Sequence, residues 1–195
     1  MGYEQWSQPA PDCRSGISFG RVNRPSNPGF RSGWQKHHLL PRQLSGISSL
    51  APFWTAMRRH GVSIDDFHFN GVLLPATETI AAKENLPLHR GPHREYSDAV
   101  GERVGAIESS WAKGQSRPAL ADCEAAGRLR LLQKALRRRL SREGNSPLTL
   151  NRRDPIGHGI DFGTLDAMAE QLWNDTAYED PPREIATIPV CGKVG

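Results

Sequence analysis

Six of the seven histidines lie between His37 and His93, and four of them form two tight groups. Three fragments carry the pattern: Lys36-His37-His38-Leu39-Leu40-Pro41, Phe69-Asn70-Gly71-Val72-Leu73-Leu74-Pro75, and Leu88-His89-Arg90-Gly91-Pro92-His93-Arg94-Glu95-Tyr96. Neutral imidazole is the commonest metal ligand, and three imidazoles suffice for a catalytic site that keeps one position open. Adjacent side chains on extended backbone point to opposite faces. His37 and His38 should therefore not both be ligands: one can hold a metal while the other faces a substrate as a base. His89 and His93 are four residues apart, but Gly91-Pro92 interrupts them. That spacing puts His89 on a turn and His93 on the first turn of a helix, at the positive end of its dipole. Any one of these histidines, taken alone, is more often a satisfied core residue, and Asn70 before Gly71 is alone an ordinary turn. Their ordered combination is what points to a site. His60 reads as a helix end, His68 as a strand edge and His158 as part of a Gly-His-Gly loop.

The elements that must position these residues are legible in part. WQKHHLLP, from Trp34 to Pro41, is short and extended, ended by proline. Residues 49–60 suit a short helix that Gly61 can terminate. Residues 69–74 read as a strand entered through an Asn-Gly turn and closed by Pro75. Residues 76–85 suit a helical turn or loop. The clearest helix should start at Pro92, with Gly91 as its cap. Tyr96, Val100, Val104, Ile107 and Trp111 make its apolar stripe. A further helix should run from Ala119 to Arg142, burying Leu129, Leu132, Leu136 and Leu140, and residues 164–173 should form a last amphipathic one with Thr164 as cap. Residues 1–33, with Pro9, Pro11, Pro25 and Pro28 and no periodicity, read as a flexible arm or linker. The expected organisation is an arm over 1–33, a folded domain over 34–145 and an acidic C-terminal extension over 146–195 with one short helix.

Composition bounds what this site could act on. The 195 residues allow one domain with a sizeable core, and the 34 glycines and prolines favour long irregular connections. Net charge is +4, but residues 1–150 carry 21 basic and 13 acidic side chains, while residues 151–195 carry 4 and 8. A basic body with an acidic tail suits a polyanionic substrate. Seven basic and no acidic residues fall within 128–142. Cys13, Cys123 and Cys191 are too few and too scattered for a disulfide framework or a thiolate zinc finger. No stretch approaches the ~18 apolar residues of a membrane span, and MGYEQWSQPAPDCR has no signal-peptide pattern. A cytoplasmic setting follows as the expectation.

The three strings, in this order, resemble the AHH family of the HNH/endonuclease VII nucleases over roughly residues 34–112, with Lys36 where that family's name has alanine. The resemblance implies an α+β fold with a ββα-metal (HNH-like) core, additional helices and an irregular N-terminal arm. It implies a metal-dependent endonuclease hydrolysing DNA, in which His37, His89 and His93 hold one divalent ion. His38 would be the general base, and Asn70 would orient His38 or assist the metal. Imidazole ligation suits Zn, Ni or Mn, with Mg also open. Arg90 and Arg94 would grip phosphates beside the break. The basic helix face, Arg137 and Arg138 included, would attract the backbone without reading sequence. No base-reading motif occurs, so little specificity is expected. Family members of this kind often serve as toxins faced by an immunity protein, which would mean delivery into a target cell. The alternatives are an RNase of the same fold and a non-catalytic, metal-stabilised nucleic-acid-binding module.

Overall fold

The computed structural model describes residues 16–141 together with Leu148, Leu150, Asp154 and Gln171. The helix expected over 164–173 lies outside the described residues. Strand β1 (Trp34–His38) pairs antiparallel with β2 (Gly71–Pro75), in a register that sets His37 opposite Val72 and His38 opposite Gly71. Between the strands run two 3-10 turns (Arg42–Gly46 and Ser48–Leu50), α1 (Ala51–Arg59) and the four-residue α2 (Phe67–Asn70). After β2 come α3 (Glu78–Glu84), α4 (Arg94–Lys113) and α5 (Pro118–Leu140). The architecture is α+β, as expected: a two-stranded sheet with short helices between its strands and the long helices after it.

Local chemistry explains the boundaries. Proline at the start of α1 and of α5 costs no hydrogen bond there. The α1 helix stops at His60 because Gly61 takes a φ of 73°, which a side chain resists. Thr77 caps α3 by accepting from Ile80 N, and Asn85 ends it in left-handed backbone. Helix α4 begins two residues later than expected: His93 takes the cap position with φ −106° and ψ 63°, and Gly91 (φ 77°) belongs to the preceding turn. His68 and Asn70 also differ from expectation, since Asp66 accepts from His68 N and caps one helical turn before the strand starts at Gly71. Four residues carry no period, so α2 left no apolar signature.

The core lies where α1, α4 and α5 meet the sheet. Tyr96, Val100 and Val104 from α4 and Leu129, Leu132, Leu136 and Leu140 from α5 are all buried there, with Phe53 and Met57 from α1. Each fully buried side chain of this size contributes roughly 1.5–3 kcal/mol relative to exposure. Trp54 Nε1 donates to Leu44 O at 3.0 Å and Trp111 Nε1 to Asp122 Oδ1 at 2.6 Å, so both indoles bury their rings without stranding a donor.

The ordered body starts before Trp34. Ser18 forms a β-bridge with Asp66, Phe67 N donates to Ile17 O at 2.7 Å, and Phe19 is buried in a 3-10 turn over Phe19–Arg21. Backbone pairing to α2 holds this stretch despite its proline-rich sequence. The body also continues past α5, since Leu148, Leu150 and Asp154 are buried. No helix among the described residues is long and apolar enough to cross a membrane.

Candidate metal centre and active site

His37, His89 and His93 come together. One ring nitrogen from each lies within 4.8 Å of the others, and the ring centroids of the His89–His93 pair are 4.6 Å apart. His37 reaches the cluster from β1, His89 from the turn before α4, and His93 from the cap position of α4. The non-helical dihedrals of His93 leave its ring beside the other two. Tyr96, one turn on, packs edge-on against His37 at 4.9 Å and donates its hydroxyl to Leu39 O at 2.7 Å. It is thus more than a core filler: it braces the backbone next to the paired histidines, and burial pushes its phenol far up from the ordinary tyrosine range.

The donor set fits a cation. His37 Nε2 and both ring nitrogens of His93 are buried without a hydrogen-bond partner. Each such orphan costs about 1–3 kcal/mol unless something else satisfies it. A tetrahedral ion with imidazole bonds of ~2.0–2.1 Å sets its donors about 3.4 Å apart, so the three rings would have to draw inward from the 4.8 Å within which they lie. Burial, more than any other cause, holds all three imidazoles neutral. It lowers His37 well below its ordinary value, with His89 and His93 repelling a second charge there. It takes His89 down to about 4, again helped by His93. It lowers His93 too, with the nearby Leu150 backbone opposing. Neutral imidazole with free lone pairs is the ligand form.

His38 points away from this cluster, as strand alternation requires. The residue is half-buried, its ring lies flat on Phe19 with centroids 3.6 Å apart, and its Nε2 is buried with no hydrogen-bond partner. Burial lowers its pKa, Asp65 pulls it up, and the Arg42 and Lys36 cations push it down.

Asn70 is fully buried, and every capacity of its amide is used away from the histidine cluster. Its Oδ1 accepts from Leu40 N at 2.7 Å and Gln133 Nε2 at 3.1 Å; its Nδ2 donates to Leu40 O at 3.0 Å and Ile64 O at 2.9 Å. Asn70 is therefore a positioning residue that clamps the chain two residues after His38. The expectation that it might assist the metal is corrected, because its oxygen is already committed to backbone and Gln133.

The expected phosphate-gripping arginines divide. Arg94 is exposed beside His93, and Arg90 is exposed in a surface ion pair with Glu78 at 3.4 Å. Arg138 is exposed on α5. Arg137, by contrast, donates to His68 O at 2.6 Å and Phe69 O at 3.2 Å, so its guanidinium holds the α2 segment. Arg130 likewise bonds His60 O, and Arg139 is buried. The charge run on α5 is in part structural.

Four residues that matter here were not singled out from the sequence. Gln35 Oε1 pairs with His89 Nδ1 at 2.9 Å. Asp154 Oδ2 accepts from Leu88 N at 2.9 Å, fixing the residue before His89. Gln133 completes the Asn70 amide, and Phe19 covers His38. Gln35 alone offered a hint, being two residues before His37 on the same strand face.

Neither a curated protein nor a solved structure gives a significant match to this chain. A family model does: AHH, a nuclease family of the HNH/ENDO VII superfamily with conserved AHH, matches residues 19–136. The match spans the sheet, the four histidines, α4 and most of α5. With the paired histidines on β1 and their partners at the head of α4, the chain belongs to the AHH nucleases of the HNH/ENDO VII superfamily.

Proposed function

We propose that this nuclease is a metal-dependent endonuclease hydrolysing DNA phosphodiester bonds with little base specificity, His38 acting as general base while His37, His89 and His93 hold one divalent ion. One observation carries the reading: the two adjacent histidines part company on β1. His37 joins the buried cluster, whereas His38 stands outside it with an unpartnered nitrogen. A purely structural metal site has no use for that second imidazole. Zn, Ni or Mn suit the all-nitrogen donor set, with Mg open if substrate oxygens complete it.

When bound, the ion supplies Lewis acidity that offsets charge on the phosphoryl oxygen and the departing 3′ oxygen. The chain does the rest. His38, kept neutral by burial, accepts the proton of the attacking water. Tyr96 and Asn70 hold the backbone after β1, through Leu39 O and both polar groups of Leu40, so His38 does not drift. Arg42 near His38, and Arg94 beside His93, supply positive charge for the phosphodiester. Arg90 can exchange its exposed Glu78 partner for a phosphate at little cost.

The test is cleavage of plasmid DNA and total RNA side by side, with Mg, Mn, Ni or Zn added. The parent should nick plasmid, and His38→Ala should lose about 10²–10⁴-fold while still binding metal. Undiminished cleavage by His38→Ala would sink its role as base. Digestion of RNA alone would reassign the substrate, and metal-dependent folding without any cleavage would favour a non-catalytic module. A toxin setting with an immunity partner is part of the proposal on the strength of the family likeness. Expression in a bacterial host should then arrest growth with the parent and not with His38→Ala.

A further inference from the structure

Phe19 lies parallel to His38, at 2° between planes, which is the closest ring contact His38 makes. Several independent contacts hold Phe19 there. Phe67 meets it edge-on at 5.1 Å. Phe19 N donates to Asp65 O at 3.3 Å, and Ile17 N donates to Asp66 Oδ1 at 3.1 Å. Lys36, on the same strand face as His38, donates its Nζ to Phe19 O at 2.9 Å. Lys36 occupies the position where the family's conserved Ala-His-His begins with alanine. An alanine could not reach Phe19 O, so a chain with alanine at this position lacks the anchor.

We propose that Phe19 is a positioning residue for His38, and that Lys36 is the tether that holds Phe19 in place. The inference rests on the reading of His38 as general base. A histidine on a strand has a broad second torsion and can swing its ring through a wide arc. A flat aromatic neighbour fixes the plane of the imidazole while taking no hydrogen bond from or to its Nε2, which is buried and unpartnered. Geometry held within about 0.5 Å and 10–20° separates a working base from an idle one. The 16–21 segment therefore belongs to the catalytic apparatus although it supplies no group that touches the substrate.

The experiment compares Phe19→Leu, Phe19→Tyr and Lys36→Met with the parent and with His38→Ala. It reads kcat and KM on whichever nucleic acid the parent cleaves, and binding of Zn or Mn by calorimetry. Phe19→Leu keeps apolar bulk but no flat ring. It should lower kcat about ten- to a hundredfold with KM and metal affinity unchanged, and Phe19→Tyr should restore kcat. Lys36→Met should give a smaller loss of kcat in the same direction. If Phe19→Leu does not fold, Lys36→Met and Phe19→Tyr decide the matter, because neither empties the space. Parental kcat in Phe19→Leu, while His38→Ala is inactive, overturns the inference and leaves the base assignment standing. A faster Phe19→Leu overturns it too, showing that Phe19 shields His38. Undiminished cleavage by His38→Ala removes the base and the inference together.

Discussion

His89 enters the cluster through a hydrogen bond that selects which of its nitrogens is free. With Gln35 Oε1 accepting from Nδ1–H, the proton stays on Nδ1 and the Nε2 lone pair is left for a ligand. Gln35→Leu should therefore weaken metal binding about 10–100-fold, with little change in melting temperature of the metal-free protein. Calorimetric titration with Zn checks this, and unchanged affinity would show that Gln35 is a bystander. The lowered histidine pKa values also set a pH dependence. Protons bind the unfolded chain at about 6.5 but His89 in the folded protein only near 4, so stability is fully present above 6.5 and drains away as pH falls through that window. The unfolding free energy of metal-free protein, read from urea titrations, should drop between pH 6.5 and 4 by on the order of 1 kcal/mol after allowing for the partial exposure of His89. A flat profile would mean that the cluster is not held neutral. At this scale the sequence was generous with the histidines, whose type and order are local signals. It was silent on Gln35 and Phe19, ordinary residues that acquire a role only through neighbours brought to them by folding.

The element that does most for the site is the short stretch from Asp66 to Gly71. Gly71 faces His38 across the sheet, and a Cβ there would run into the Phe67 ring. Gly71→Ala should displace Phe67, and Phe19 with it, at a cost of about 1–3 kcal/mol. Asn70→Ala should cost more, roughly 3 kcal/mol or above, because it strands the Leu40 N–H and two buried carbonyls at once. Chemical denaturation of both variants checks the order. Asn70→Ala should lose cleavage while keeping some metal binding, since its amide touches none of the three clustered rings. A parental melting curve for Asn70→Ala would contradict the clamp. The long helices were readable because a 3.6-residue stripe over twenty residues survives any context: Tyr96, Val100 and Val104 on α4, and Leu129 to Leu140 on α5, are buried as the pattern requires. The Asn-Gly pair was misread as a turn because one helical turn and one β-turn look alike over four residues. The structural part that Arg137 plays was not legible because the carbonyls it donates to lie 68 and 69 residues away.

Over the whole molecule, the charge split acquires boundaries. The basic body does not end where α5 ends, since Leu148, Leu150 and Asp154 are buried and Asp154 anchors Leu88. A chain cut after Ser141 keeps the whole family-matched stretch, yet it should melt lower and bind Zn or Mn more weakly than the full chain. Equal affinity in the two would show that Asp154 does not support the His89 turn. The proline-rich N-terminus read as a flexible arm or linker and the acid-rich C-terminus as an extension, because composition reports averages and not which single residues are pinned. The Asp154–Leu88 hydrogen bond joins residues 66 positions apart. During synthesis the amino-terminal part of a chain folds first. The paired histidines, the sheet and α4 are thus made well before Asp154 leaves the ribosome. The turn that carries His89 is therefore fastened later than the strands and α4 are made, so His89 is the last of the three clustered rings to be fixed in place.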